Sequence, residues 1–184
     1  MPSSRYSLAA LLASSTVALN ACGVLPYGTQ PTTPVVSRLP GGTPGAGGGG
    51  AASTTANAND KANEVVLFAL GLVETGYLFG GKNPEAGLDC SGMVSYVFRK
   101  SVDMRLAGSA ADLARQGKPV AAAQLRPGDL VFFNTRNKSF SHVGIYIGDE
   151  RFVHAPGSRG KVRTESLSSG WFAARFEEAR TYFD

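Results

Sequence analysis

Residues 23–60 contain no run that could bury a hydrophobic core. Seven glycines fall between Gly41 and Gly50, and most of the remainder is Pro, Ala, Ser and Thr. Such a stretch cannot gather enough apolar surface to offset the entropy of ordering it, so it reads as a flexible tether. Everything that packs must then come from residues 61–184, which is enough chain for one ordinary domain and too little for two. The whole chain is 43% hydrophobic and 17% charged, as in a globular protein. Its net charge of +4 is compatible with a polyanionic partner. Without a run of lysine and arginine it does not argue for nucleic acid, and none is expected as a partner.

The N-terminus has the order of an export signal. Arg5 is the positive residue, Leu8 to Leu19 form a short apolar stretch, and Ala21 precedes Cys22. The stretch is too short to cross a bilayer. Leu19-Asn20-Ala21-Cys22 resembles the lipobox of bacterial lipoproteins, although Asn20 stands where a small or aliphatic residue is usual. The resemblance implies removal of residues 1–21 and lipidation of Cys22. Ordinary secretion is the rival, and Leu19-Asn20-Ala21 fits its small-residue cleavage site poorly. Residues 22–60 would then tether the domain to a membrane, spanning about 35 Å as a Gly-rich coil and ~130 Å at full stretch. If Cys22 carries lipid, Cys90 is left as an unpaired thiol in an exported protein, which points to chemistry and not to a disulfide.

From residue 61 the pattern changes. Val65, Val66, Ala69, Leu72 and Val73 recur at helical spacing after a cap at Asp60. A glycine-containing loop, Gly76 to Gly87, leads to Asp89 and a second helix, opened by Cys90, with Met93, Val94, Val97 and Phe98 on one face. A short third helix runs from about Ser109 to Gln116 and stops at Gly117. Arg126-Pro127-Gly128-Asp129 is a turn before a strand from Leu130 to Phe133. Val143, Ile145 and Ile147 then alternate with His142, Gly144 and Tyr146, and Arg151 to Ala155 reads as the returning strand of a hairpin. Helices first and strands after predict an α+β domain.

A thiol becomes an effective nucleophile when a helix N-terminus and a neighbouring imidazolium lower its pKa, so a thiolate persisting near neutrality is expected at Cys90. A histidine must accept and return the proton, and a third polar group must hold the ring. The chain has two histidines, His142 and His154. A three-residue loop at Gly148 to Glu150 would set them nearly opposite on one sheet face; a two-residue loop would put them on opposite faces.

Four blocks, Gly76-Tyr77-Leu78-Phe79-Gly80-Gly81, Leu88-Asp89-Cys90-Ser91-Gly92, Leu125 to Phe133 and His142 to Ala155, resemble consecutive blocks of the NlpC family of cell-wall peptidases. The resemblance covers essentially all of residues 61–184, and the order Cys, His, His is that of its unpermuted hydrolases. It implies a papain-like fold, with the nucleophile at a helix N-terminus packed on a small antiparallel sheet. Cys90 would be the nucleophile, His142 the base and later the acid, and His154 the group that orients His142. Tyr77, Asp89 and Ser91 would line the substrate pocket. No metal or organic cofactor is implied. The implied partner is peptidoglycan, cut in its stem peptides either between D-glutamate and diaminopimelate or at the diaminopimelate to D-alanine cross-link. An anchored monomer on the outer membrane facing the periplasm is expected, since Gly23 follows Cys22 where inner-membrane retention typically uses Asp.

Each residue also has a plainer reading. Cys90 could be a small buried apolar group, the histidines could be strand residues satisfied by backbone, and Asp89 is explained by helix capping alone. Trp171, Phe172 and Phe176 read as core and not as a sugar platform. A zinc site of Cys90, His142 and His154 lacks supporting ligand pairs. The other function classes left open are a non-catalytic wall-binding lipoprotein and an amidase or acyltransferase on a different amide.

Overall fold

The computed structural model describes residues 50–157 and 160–183, with side chains from residue 57. All of them belong to one compact unit, Ala46–Asp184. The export signal, Cys22 and most of the tether lie outside the described residues.

Helix α1 spans Gly50–Leu70. It begins about three turns before the expected cap at Asp60, so residues 50–60, read from the sequence as the end of the tether, are helical. The glycine run stops at Gly50, and alanines, the best helix formers, recur immediately after it. Ala58 and Ala62 also pack on the core, so the helix is held from its middle and not only from its C-terminal half. Val65, Ala69 and Leu72 are buried as the spacing predicted, whereas Val73 lies beyond the helix end and is exposed. Among the described residues no helix is long and apolar enough to cross a membrane.

A two-stranded ribbon, β1 (Lys82–Asn83) and β2 (Gly87–Leu88), leads into α2, Cys90–Val102. Met93, Val94, Val97 and Phe98 form the buried face of α2. α3 (Ala110–Gln116) starts with a capping box, in which Ser109 and Asp112 each satisfy the other's backbone N–H. The remaining chain builds β3 (Lys118–Val120), β4 (Leu130–Phe133), β5 (His142–Gly148), β6 (Arg151–His154), β7 (Arg163–Ser166), the helical turn α4 (Gly170–Ala173) and β8 (Phe176–Thr181). The six strands form one antiparallel sheet in the order β3-β8-β4-β5-β6-β7. The chain is therefore α+β, as expected.

The sheet separates two hydrophobic clusters. On one face Leu130, Phe132, Val143, Ile145 and Val153 pack against α1 and α2. On the other, Val131, Phe133, Phe152 and Ala179 pack beneath Phe172 of α4. Alternation along β4, β5 and β6 makes this division possible, since successive side chains point to opposite faces.

The β5–β6 hairpin differs from the expected one. Gly148 pairs with Arg151, so the loop is the two residues Asp149 and Glu150, both left-handed at φ 50° and 54°. This is the type I′ geometry favoured by strand twist. A regular hairpin on that loop would place the two histidines on opposite faces. An irregularity between Tyr146 and Gly148 absorbs Ile147 and restores the parity, so Tyr146 pairs with Phe152 and Ile145 with Val153. Carried one residue further, this register sets Gly144, not His142, across from His154. The histidines are diagonal neighbours on one face.

Candidate active site

Asp89 precedes α2 in extended conformation, and its Oδ1 accepts the Gly92 N–H at 2.6 Å. The same oxygen accepts the Ser91 hydroxyl at 3.1 Å, and Oδ2 accepts the Gly80 N–H at 3.0 Å. Asp89 thus caps the helix and fastens the preceding loop to it. Two glycines let that loop approach: a Cβ on Gly92 would lie 1.9 Å from the Gly81 carbonyl oxygen, and one on Gly81 would lie 2.2 Å from that of Gly87. The result fixes Cys90 as the first residue of α2, where its N–H has no partner within the helix.

Cys90 is half-buried in a cleft of about 260 Å³ that it shares with Tyr77, Asp89 and Ser91. The three pocket residues expected from the sequence are therefore gathered around the expected nucleophile. The far wall comes from Ser109, Ala110 and Ala111, at the start of α3, and the exposed ring of Phe79 stands at the rim.

His142 is the first residue of β5 and is buried. Its Nε2 lies 2.7 Å from Nδ1 of the fully buried His154, the two rings nearly perpendicular. Phe133, Phe152 and Phe172 surround the pair. His142 also lines a smaller cleft with Thr135, Pro156 and Trp171. The backbone connects the two halves of the site: the amide of Val143, next in sequence to His142, comes near enough to the Cys90 sulfur to favour its thiolate.

Burial dominates the electrostatics. It pushes the Cys90 thiol up, with the Asp89 carboxylate adding to the rise, while the Val143 and Ser91 amides and Arg136 oppose it. Burial also drives His142 down to about 4, with Arg136 adding to the fall, and His154 down to about 2, helped by the charge of His142. The thiolate expected to persist at the helix N-terminus is thus not favoured by itself, because desolvation outweighs the helix end. Burial thus disfavours both the Cys90 thiolate and the His142 imidazolium.

For His142 to hold a lone pair toward the cleft at Nδ1, its Nε2–H must donate to His154 Nδ1. His154 then carries its proton on Nε2, a buried atom with no hydrogen-bond partner among the described residues. Among the described residues no three His, Cys, Asp or Glu side chains converge as a metal site.

Arg136 escaped the sequence reading. It lines both clefts and acts electrostatically on Tyr77, Cys90 and His142. Its one signal was position, since the loop carrying Arg136 and Lys138 runs directly into His142. Trp171, expected in the core, is 52% exposed, with the Arg175 guanidinium 4.0 Å from its ring centroid, while Phe172 is buried as expected.

A cysteine opening a helix that packs on an antiparallel sheet carrying paired histidines is the arrangement of the papain-like α+β class. More narrowly, the chain belongs to the NlpC/P60 family, whose profile matches residues 74–181. It is 34% identical over 107 residues to murein DD-endopeptidase MepH of Escherichia coli, covering 56% of this chain and 40% of that protein. It is 39% identical over 104 residues to murein DD-endopeptidase MepS/murein LD-carboxypeptidase of Escherichia coli, covering 56% and 54%. It is also 39% identical over 107 residues to gamma-DL-glutamyl hydrolase of Bacillus subtilis, covering 58% and 26%. The chain therefore spans between 26% and 54% of these relatives' own lengths. The solved NlpC/p60 domain of the peptidoglycan hydrolase SagA superimposes with a TM-score of 0.58 at 29% identity, covering 65% of this chain and 97% of that one.

Proposed function

We propose that this chain is a peptidoglycan endopeptidase that hydrolyses stem-peptide amides through a thioester on Cys90. The observation that carries the reading is the joint placement of Cys90 at the start of α2, α2 packed on β5, and His142, the first residue of β5, with its Nε2 2.7 Å from His154 Nδ1.

The reaction follows from those groups. As Sγ attacks the amide carbonyl carbon, its proton passes to His142 Nδ1, and the C=O electrons move to oxygen. The imidazolium is held by His154 Nδ1 accepting from Nε2. The Cys90 N–H, which has no partner within α2, is the donor for the oxyanion. Collapse expels the amine, which takes the proton from His142. Water, deprotonated by His142, then attacks the thioester, releasing the new carboxyl group and the Cys90 thiol. Tyr77 and Ser91 supply hydroxyls at the cleft floor. Asp89 supplies charge, although its oxygens already accept Gly80, Ser91 and Gly92.

The scissile bond in this proposal lies beside diaminopimelate, either in the cross-link or after D-glutamate. MepH and MepS are named for the DD bond and gamma-DL-glutamyl hydrolase for a glutamyl bond. Mass spectrometry of muropeptides and intact sacculi, treated with the parent or with Cys90→Ala, decides it. Products made by the parent alone establish the peptidase, and their masses name the bond. Intact substrates from a folded parent across several wall chemistries reject the function.

Lipid at Cys22 and an outer-membrane site facing the periplasm belong to the same proposal. Radiolabelled palmitate entering the parent but not Cys22→Ala, with the label in outer-membrane fractions, is the expected result.

A further inference from the structure

A second cavity, of about 480 Å³ against 260 Å³ for the Cys90 cleft, runs along the solvent side of α2. Lys82, Arg99 and Arg105 line it together with Tyr96 and a single acid, Asp103. Arg99 and Lys100 both stand over the Tyr96 ring, at 5.8 and 6.0 Å from its centroid. Elsewhere, Arg115, Lys161, Arg163 and Arg180 each have a carboxylate partner, while among the described residues Arg136, Lys138 and Arg151 have none. Among the described residues no carboxylate comes within ion-pair distance of Lys82, Arg99 or Arg105. Positive charge left unpaired in a concave surface concentrates the local field and attracts anions.

The linings of this cavity and of the Cys90 cleft come next to each other along the chain at two places. On α2, Ser91 lines the cleft and the next residue, Gly92, lines the cavity. On the opposite side, Ser109 lines the cleft and Ala107 the cavity. Between them stands Gly108, at φ +110°, where a Cβ would strike Asp112 of the capping box. Gly108 itself carries no side chain, and the Asp112 side chain occupies the space beside it.

We propose that this cavity is a second subsite of the same groove, which takes carboxylates of the peptidoglycan strand beyond the bond held at Cys90. The inference rests on the peptidase reading for the identity of the ligand. Stem peptides carry free carboxylates along their length, and a guanidinium presents the planar pair of donors that a carboxylate accepts. Arg99 and Arg105 are the contacts, Lys82 adds field, and Tyr96 supports Arg99 from beneath. The Cys90 cleft selects the bond; the cavity selects charge farther along the strand.

Binding to the full chain carrying Cys90→Ala separates this inference from the peptidase reading. The probes are a purified cross-linked stem-peptide dimer and the same dimer with its carboxylates converted to amides. The native dimer should bind about tenfold tighter than the amidated one, with the preference shrinking as salt rises. Arg99→Glu or Arg105→Glu should remove the preference, Arg99→Gln should reduce it, and Arg151→Glu, away from the groove, should leave it intact. Circular dichroism melts establish that each variant is folded.

Equal affinity for both dimers, or a preference unchanged in Arg99→Glu and Arg105→Glu, overturns the subsite. If those two variants instead lose binding only to vesicles containing anionic phospholipid, the cavity serves a membrane headgroup and the inference is wrong. Failure of the peptidase reading has a separate signature, namely absence of cleavage by the Cys90 parent whatever the binding arms give.

Discussion

At the residue scale, the site depends on what glycine and histidine each lack. Gly92 lacks a Cβ where the Gly81 carbonyl comes within contact. Gly92→Ala must displace the loop carrying Tyr77 or the first turn of α2, at a cost of about 1–3 kcal/mol for overpacking. A lowered urea midpoint with unchanged slope, and a larger loss of peptidase rate than the stability change explains, is the expected pair of results. Among the described residues His154 Nε2 has no partner, and as the buried donor of the tautomer argued above it leaves roughly 1–3 kcal/mol uncompensated. Such a cost is tolerable only if the other nitrogen is useful, and Nδ1 is the atom that holds His142. His154→Ala should therefore lower kcat by up to about four orders of magnitude, as for loss of a triad's orienting group, and leave KM nearly unchanged. His154→Asn, which can still accept from His142, should recover part of it. The acidic limb of the pH–rate profile in the parent should lie near His142's value of about 4, well below that of a free imidazole.

At the element scale, the helix start at Asp89 joins stability to reactivity. Asp89→Ala removes the cap and should cost about 1–2 kcal/mol. Asp89→Asn keeps an acceptor for Gly92 while removing the charge that pushes the Cys90 thiol up. Alkylation rates followed against pH should show the thiol titrating at lower pH in Asp89→Asn than in the parent, with stability closer to the parent than that of Asp89→Ala. Elements whose pattern is local were legible in the sequence. α2 and α3 declared themselves by apolar spacing and by caps at Asp89 and Ser109, and β4 and β5 by continuous or alternating apolar residues. β3 has three residues, and β8 carries Glu177, Glu178 and Arg180 among its six. These strands exist because they find partners far away in the chain, which no local window records. The hairpin gave the expected face for both histidines by a different route, since the irregularity at Ile147 has no signature beside ordinary alternation. For the same reason Cys90, His142 and His154 could be picked out by residue type. Arg136 and the α3 wall of the cleft enter only through the fold.

At the scale of the whole molecule, the long helix at the front of the domain sets where a stable fragment can begin. Because α1 starts at Gly50 and packs Ala58 and Ala62, a chain beginning at Ala46 should be more stable than one beginning at Lys61, by roughly 1 kcal/mol from the lost Ala58 contact and helical turns. Calorimetric melts of the two chains measure the difference. The buried histidines give the folded protein an acid limit. Both have folded-state values below the 6.5 of a free imidazole, so the unfolded chain binds the extra protons and stability falls as pH drops. The fall begins near 6.5, continues to about 4 for His142 and farther for His154, and each contributes at most about 1.4 kcal/mol per pH unit. Urea unfolding between pH 7 and 4.5 should show that slope, reduced in His142→Phe. The two cores on opposite faces of the sheet have a last consequence. Cys90 packs with the helical layer, whereas the histidine rings sit among Phe133, Phe152 and Phe172 on the far side. The proposed nucleophile and base are thus mounted on separate chassis, and their alignment reports whether the two remain in register. A small slip between layers would disarm the protein long before the chain comes apart, as a fuse opens before the wiring burns, so on heating the loss of hydrolysis should precede the loss of helix.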